Sequence, residues 1–323
     1  MTSARAKIFL IVTNLISVAC LIWVLRDANL AELGTEIREM KWIWVVFASA
    51  ADISVYILQG WRWSMLLEPV ARVPFWRSVR AIYVGLFANE VLPFRSGEII
   101  RCLLLSRWTG LPLSVSFSSI LIERIFDGIW LVLYTALVVQ FVELPKLVRD
   151  GSNVLVIVIF VLAGLLGWVV FNRERALAFA GERKKLRILV EDLHAMGNSG
   201  SFYSSWLASL PHLLSMTLPI YCVAKAYGLE QVGLMEAAVI NVIVRVGTII
   251  PNAPGNFGTY QVLVVLALSL FGVESAQAKR FSLVLWGIVT MPLLIAGFVA
   301  LSVTGFKIGE LVKQAQEETK SHG

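Results

Sequence analysis

The sequence predicts an all-α polytopic membrane protein, with about six transmembrane helices and two re-entrant broken-helix segments in an inverted repeat. Hydrophobic residues make up 58% of the 323 residues and charged residues only 15%, against about a half and a quarter in an ordinary soluble domain. The mean hydropathy is +0.76, and the apolar residues come in blocks of about 18 to 25, enough to cross a hydrocarbon core of about 30 Å. This composition excludes a disordered chain and a soluble enzyme.

The first two apolar blocks are predicted to be ordinary spans. Residues 8–25 form an apolar run that continues past Cys20, so we interpret it as an uncleaved span and not as a signal peptide. The second span, 42–60, is followed by Trp61 and Trp63. We expect both to lie at the membrane interface, because tryptophan concentrates there.

The next apolar stretch is interrupted. It runs over 79–92, breaks at Pro93 and Gly97, and resumes over 99–105. Proline and glycine four positions apart end a helix, and each half is too short to cross the membrane by itself. We therefore predict a re-entrant pair of half-helices.

Two further spans and a basic segment follow. The third span covers 115–141 and the fourth 153–171. Over 183–193, leucine and valine recur at helical spacing among lysine and arginine, which is typical of an amphipathic helix on an anionic leaflet. The alternative is that these charges only mark the cytoplasmic side.

The second half of the chain repeats this plan. After a fifth span at 203–224, an apolar stretch over 237–250 is interrupted by prolines and glycines and resumes over 260–271. The sixth span covers 281–304, and a short polar tail follows.

A shift of 161 residues relates the two halves. It carries Pro93 onto Pro254 and Gly97 onto Gly258, and it carries the second span onto the fifth. Three crossings separate those two spans, so the halves are predicted to be inverted, and matching interrupted segments in inverted halves indicate a transport site near the midplane. The predicted parts are a first transmembrane anchor (1–28), a first repeat (42–141), a linking span with the basic amphipathic loop (142–202), a second repeat (203–305) and a polar cytoplasmic tail (306–323).

The basic residues predict the orientation. With the N-terminus inside, the inner segments hold about twice as many lysines and arginines as the outer ones. This bias predicts a multi-pass protein of the cell inner membrane with both termini in the cytoplasm. The net charge of +6 therefore indicates a membrane surface as partner and not nucleic acid.

Ionisable side chains inside apolar stretches are the candidate binding residues. A charge at a helix centre costs about 2.5–3.5 kcal/mol, so it must be paired or face a water-filled cavity. The third span carries Glu123, Arg124 and Asp127. These three residues either bind a substrate or form an internal salt bridge that locks helices together.

The first interruption carries the strongest candidates. Arg95 and Arg101, with the free N–H groups of the following half-helix, suit a phosphate. Glu98 suits a cation or an amine, and Asn89 and Glu90 lie just before the break. The alternative for Arg95 is that its side chain reaches to the interface.

The second interruption offers neutral hydrogen-bonding groups. Asn252, Asn256 and Tyr260 lie there, with Arg245 as the one nearby charge. The prolines and glycines of both interruptions are expected to permit close backbone approach and gating; they are Pro93, Gly97, Pro251, Pro254, Gly255 and Gly258.

No sequence motif indicates a catalytic centre. Nucleotide-binding, zinc-protease and serine-hydrolase motifs are absent, and the three cysteines lie far apart in apolar segments. We therefore expect no enzyme activity, no cofactor and no metal site. Asp52 and His212 are isolated in their spans, and we interpret them as paired core residues in preference to proton carriers.

Three motifs carry a family resemblance. They are Asn89-x-x-x-Pro93-x-Arg95-x-Gly97-Glu98-x-x-Arg101, then Glu123-Arg124-x-x-Asp127, then Pro251-x-x-Pro254-Gly255-x-x-Gly258. In this order they resemble the flippase-like transmembrane family typified by the membrane region of the bacterial lysylphosphatidylglycerol synthase. The likeness covers about residues 8–305. In that synthase the region is similar in role to a lipid flippase, and aminoacyl transfer belongs to a separate soluble domain. The resemblance therefore implies flippase activity without synthase activity.

The sequence thus favours a transporter of a phospholipid or of a polyprenyl or hopanoid-type lipid, with anionic or phosphate-bearing lipids as partners. Arg95 and Arg101 would hold the phosphate, while Glu98, Glu123 and Asp127 would balance that charge or bind a cationic headgroup or a proton. The alternative is a non-transporting scaffold that retains a lipid-biosynthesis enzyme, such as a lipid-modifying enzyme or a glycosyltransferase. A transporter predicts a polar cavity that reaches Arg95 and Glu123, whereas a scaffold predicts that these groups are sealed in salt bridges.

Overall fold

A computed structural model describes residues 4–26, 29–92, 96–249 and 254–304, and this part of the chain is helical without any strand. The helices are α1 (Ala4–Arg26), α2 (Leu30–Glu39), α3 (Trp42–Leu67), α4 (Phe75–Val91), α5 (Gly97–Thr109), α6 (Leu113–Val138), α7 (Lys146–Phe171), α8 (Arg173–Ala180), α9 (Lys184–Gly197), α10 (Gly200–Ser215), α11 (Thr217–Tyr227), α12 (Leu234–Gly247), α13 (Thr259–Ser269) and α14 (Ser275–Thr304). A 3-10 turn at Pro254–Asn256 precedes α13.

Four helical stretches within the described residues are long and apolar enough to cross a membrane. They are Trp42–Leu67, Val148–Phe171, Gly200–Tyr227 and Ser275–Thr304. Each contains one predicted span, and together they make this a multi-pass membrane protein.

The two other predicted spans have a different character. The block at 115–141 falls mostly on α6, whose middle carries three charged residues. The block at 8–25 falls on α1, whose apolar part with described side chains is the shorter Leu15–Arg26. The total of six crossings therefore stays a prediction.

The helix bounds repeat with the same shift of 161 residues. Shifted by this amount, α3 covers 203–228, where α10 and α11 run from Gly200 to Tyr227. The same shift places α4 on α12, α5 on α13 and α6 on α14, each within a few residues. The two halves thus share one order of helices, as the sequence predicts; their inversion across a membrane stays a proposal.

At the first interruption the chain turns back on itself. The helix α4 ends at Val91 and α5 begins at Gly97, and these two helices pack closely against each other. A Cβ atom on Gly97 would collide with the carbonyl oxygen of Gly85 in the middle of α4. The Asn89 side chain accepts a hydrogen bond of 2.9 Å from the Gly97 N–H, and so satisfies one free donor at the start of α5.

At the second interruption the backbone depends on glycine. Gly255 and Gly258 have φ angles of 64° and 91°, values that residues with a Cβ rarely adopt. Gly258 also packs against the backbone of Ser17 in α1, where a Cβ would collide with a carbonyl oxygen. The predicted gating residues Pro93 and Pro251 lie outside the described residues.

Packing bears on two sequence expectations. Trp63 does not lie at an interface, because its ring is fully buried and its indole N–H donates to Ser119 of α6 at 2.8 Å. In α9, Val190 and Leu193 are buried, and the helix packs on α6 and α7. Part of its apolar face therefore packs against protein, and the contact of this basic helix with an anionic leaflet stays a prediction.

We predict that Gly97→Ala lowers the stability of the protein by about 1–3 kcal/mol, because the added methyl group overpacks the contact between α4 and α5. Thermal unfolding in detergent measures this loss. The matched control is Gly164→Ala in α7, where a Cβ meets nothing within 4 Å. An equal change in the two variants would contradict the prediction.

Candidate functional site

A polar cavity of about 240 Å³ lies where the two interruptions meet. Its charged lining residues are Asp52 of α3, Glu90 in the last turn of α4 and Arg245 of α12. The lining also includes neutral polar residues, namely Tyr56, Asn241, Thr248, Asn256, Tyr260 and Thr290. The cavity thus brings residues of both halves of the chain together.

The contact between the interruptions is made by Glu90 and Gly255. A Cβ atom on Gly255 would overlap Oε2 of Glu90, so the carboxylate approaches the backbone closely, and the φ of 64° at this position itself favours glycine. Trp286 of α14 donates from its indole N–H to the Gly255 carbonyl at 3.3 Å, and the ring of Phe257 lies 4.5 Å from the ring of Trp286. The 3-10 turn is therefore held against the end of α4.

Asp52 is the least compensated acid of the cavity. Asp52 is buried, with only 6% of its surface exposed. Its Oδ2 has no hydrogen-bond partner in the part of the chain that the structure describes. Two neighbouring donors are used elsewhere: the hydroxyl of Tyr83 donates to the Ile53 carbonyl at 3.0 Å, and His212 Nδ1 lies 3.1 Å from the Val55 carbonyl. The expectation of a paired core residue is confirmed for His212 and wrong for Asp52.

Arg245 is the one cation among the described residues that line the cavity. Its Nη1 lies 2.7 Å from the sulfur of Met216, and its Nε has no hydrogen-bond partner among the described residues. Its helix α12 packs against α6, and the guanidinium of Arg245 interacts electrostatically with Asp127 and Arg124 of that helix. Its charge is the group that an anion entering the cavity would meet.

Asn241 is a cavity residue that the sequence analysis missed. Its amide donates to the hydroxyl of Thr217 at 3.2 Å. A single asparagine in an apolar stretch is inconspicuous, but its spacing of four from Arg245 places both on one face of α12. The same spacing relates Asp52 to Tyr56, and Asn256 to Tyr260.

A second polar feature is a network of ion pairs between α3, α5 and α6. Arg62 pairs with Asp127 and lies 3.1 Å from Glu123. Arg101 lies 2.9 Å from the second oxygen of Glu123. Glu98 lies 2.7 Å from Arg101 and 2.8 Å from Arg124. Arg124 is the third arginine of the network.

The network has a sealed side and an open side. Arg62, Arg101 and Glu123 are buried, and the guanidinium of Arg101 lies 4.8 Å from the ring centre of Trp63. In contrast, the side chains of Arg124 and Glu98 are 48% and 32% exposed. Three guanidinium groups face three carboxylates, so the network is neutral as a whole.

The predicted site residues therefore fall into separate places. Gly255, Asn256 and Tyr260 line the cavity, while Asn89 and Gly97 join α4 to α5. The ion-pair network takes in all the predicted charged residues except Arg95; they are Glu98, Arg101, Glu123, Arg124 and Asp127. Pro254 lies in the 3-10 turn, and Pro93, Arg95, Pro251 and Asn252 lie outside the described residues.

Arg62 is the member of the network that the sequence analysis missed. In the sequence Arg62 sits between Trp61 and Trp63, just after the predicted end of a span, where a basic residue is typical of a charge that only marks the side of the membrane. The structure continues α3 to Leu67, which places Arg62 inside the helix. An arginine one turn from the end of a long apolar run is the sequence feature that indicates this burial.

Comparison with known proteins places the chain in a family. The family model for the lysylphosphatidylglycerol synthase TM region matches residues 10–297. A UPF0104 membrane protein of Methanothermobacter thermautotrophicus is 24% identical over 309 residues, covering 88% of this chain and 89% of the relative. A UPF0104 membrane protein of Methanocaldococcus jannaschii is 20% identical over 305 residues, covering 86% and 89%.

No solved structure matches this chain. The family match covers both interruptions and the charged part of α6, the regions whose motifs carry the resemblance seen in the sequence. The chain belongs to the family of the lysylphosphatidylglycerol synthase transmembrane region.

Proposed function

We propose that this protein is a flippase-like transporter that moves a phospholipid, or a polyprenyl or hopanoid-type lipid, across the inner membrane. The observation that carries the proposal is the charged cavity at the junction of the two interruptions. A lipid headgroup would enter this cavity, while the acyl or prenyl tails stay in the bilayer. Interrupted helices at matching positions of two repeats are the arrangement that many transporters use to build a binding site.

The chemistry of the cavity supports a headgroup and not an apolar ligand. Non-helical backbone at membrane depth is tolerated where it is buried in protein or lines a water-filled cavity. Here the 3-10 turn contributes Gly255 and Asn256 to the cavity wall. Arg245 faces the same space, and a guanidinium group is well suited to phosphate oxygens.

The residue proposed to bind the phosphate therefore differs from the one expected from the sequence. Arg101 was expected to hold the phosphate together with Arg95, but its guanidinium is buried between two carboxylates. Arg245 takes that role in the cavity. Arg124 and Glu98 form the part of the network that a headgroup can reach from the open side.

The remaining elements of the proposal come from the sequence. The repeats at 42–141 and 203–305 would be inverted, with both termini in the cytoplasm. Anionic lipids would be the substrates, and an enzyme of lipid biosynthesis would supply or use them. The protein itself would carry out no catalysis.

A non-transporting scaffold is the second candidate function, and one observation favours it. Glu123 is fully buried and sealed by Arg62 and Arg101, as the scaffold alternative predicts. The cavity, however, holds Asp52 and Arg245, which line the same space without forming an ion pair with each other. The two features together favour a transporter whose first half is locked by ion pairs.

We predict that Arg245→Gln slows lipid translocation at least about tenfold, since a lost charge-assisted contact of 1.5–3 kcal/mol corresponds to roughly that factor. The assay measures how fast labelled phosphatidylglycerol becomes accessible to a membrane-impermeant quencher in proteoliposomes. Lys225→Gln is the matched control, because Lys225 lies over the Tyr221 ring and outside the cavity. Equal rates in the wild type, Arg245→Gln and protein-free vesicles would reject the transporter and favour the scaffold.

The ion-pair network makes a separate prediction about stability. Arg62→Gln leaves Glu123 and Asp127 without their common partner, and loss of one member of a buried pair costs about 3–5 kcal/mol. Arg124→Gln removes a half-exposed member and costs at most about 1 kcal/mol. Thermal unfolding of both variants in the same detergent measures the difference. A larger loss for Arg124→Gln would show that the network is not the structural lock described here.

A further inference from the structure

The cavity holds a carboxylic acid, Asp52, and a cation, Arg245, that form no ion pair with each other. Resting on the proposed function, we propose that Asp52 is a proton-binding site and that its ionised form competes with an anionic headgroup for Arg245. Lipid and proton would then cross the membrane together. This assigns both a substrate class, lipids with an anionic phosphate, and a driving force, the proton gradient.

Asp52 lies in surroundings that offer a single cation. Among the described residues, the ionisable groups around it come from α3 itself, α4, α10, α12 and α13; they are Tyr56, Tyr83, Glu90, His212, Arg245 and Tyr260. The lining residues contributed by α14 are uncharged. The hydroxyl of Tyr83 and Nδ1 of His212 are already engaged with backbone carbonyls, so Arg245 is the remaining group that can neutralise an ionised Asp52.

No ion pair joins the two residues in this conformation, although both line the same cavity. A buried carboxylate without a partner is unfavourable, and a bound proton removes its charge. Arg245 has no such option, because a guanidinium group stays protonated in proteins. Its charge favours a nearby anion. The carboxylate of Glu90 also lines the cavity but lies against Gly255, and in this proposal the two anions that compete for Arg245 are a headgroup phosphate and the carboxylate of Asp52.

These alternatives define two states. With a proton on Asp52, the guanidinium of Arg245 is available to the phosphate oxygens of a lipid. When the O–H bond of Asp52 breaks and the proton passes to water, the carboxylate pairs with Arg245 and displaces the phosphate. One proton enters and leaves with each headgroup, so a lipid with one negative charge crosses without net movement of charge.

The first test is the distribution of labelled phosphatidylglycerol between the leaflets of proteoliposomes under a pH gradient. One proton per lipid means that a gradient of one pH unit sustains about a tenfold excess of lipid in the leaflet facing the more alkaline side. A membrane potential set with a potassium ionophore has no effect in the wild type. Protein-free vesicles give the background, and Asp150→Asn, at an exposed position of α7, is the matched control.

Asp52→Asn keeps the shape of the side chain and cannot lose a proton. We expect this variant to move phosphatidylglycerol without an excess under the pH gradient, and to respond to the membrane potential instead, because the lipid then carries its charge alone. Asp52→Glu restores the response to the gradient. A wild type that moves lipid with no response to the gradient, or an Asp52→Asn variant that keeps the response, would overturn the proposal while leaving the transporter in place.

A second readout does not depend on transport. The infrared difference spectrum between the wild type and Asp52→Asn shows the carbonyl band of a protonated carboxyl at neutral pH if Asp52 binds a proton in the resting cavity. The appearance of a carboxylate band alone overturns the proton site. If no lipid moves in any variant, the proposed function fails, and the infrared result still decides whether Asp52 holds a proton.

Discussion

A charge inside a membrane-embedded bundle must be compensated, and the first half of this protein meets that constraint with ion pairs. Arg62 of α3 and Arg101 of α5 converge on Glu123 of α6, and all three are buried. Such pairs contribute little net stability, because desolvation offsets their attraction, but the loss of any one member leaves a buried charge. The network therefore restricts how α3, α5 and α6 can lie relative to one another. The contact between Gly85 and Gly97 and the burial of Trp63 follow from the same close packing.

The junction of the two halves meets the constraint differently. Asp52 of the first half and Arg245 of the second half line one cavity but form no ion pair, and the 3-10 turn between α12 and α13 adds polar backbone to its wall. This turn exists because Gly255 adopts a positive φ and leaves room for the carboxylate of Glu90. The two halves have matching helix bounds, yet the ion-pair network lies within the first half, and both halves contribute to the cavity. The repeat therefore supplies the architecture, while the local choice of charged residues decides where charges pair and where they line a cavity.

Transport and scaffolding make different demands on these features. A scaffold needs rigid helices and gains nothing from a carboxylic acid and a guanidinium group, Asp52 and Arg245, that share a cavity without an ion pair. A transporter needs a fixed frame and a polar space beside it, and the structure contains both. Membership of the lysylphosphatidylglycerol synthase transmembrane family is consistent with a role in lipid biology. The guanidinium of Arg245 in the cavity supports the proposal that a phosphate-bearing headgroup binds there.

Sequence alone determined the membrane class, four of the spans, the two interruptions, the repeat and the family, because hydropathy, helix-breaking residues and motif order are properties of neighbouring positions. It also identified Asn256 and Tyr260 as residues of the second interruption. Only the tertiary structure decided that Arg62 completes the network, that Asn89 joins two helices, and that Asp52 and Arg245 face one cavity. The physical reason is that compensation of a buried charge depends on which helices lie side by side, and residues 61 to 193 positions apart in the chain, such as Arg62 with Glu123 or Asp52 with Arg245, have no spacing rule that reveals their proximity.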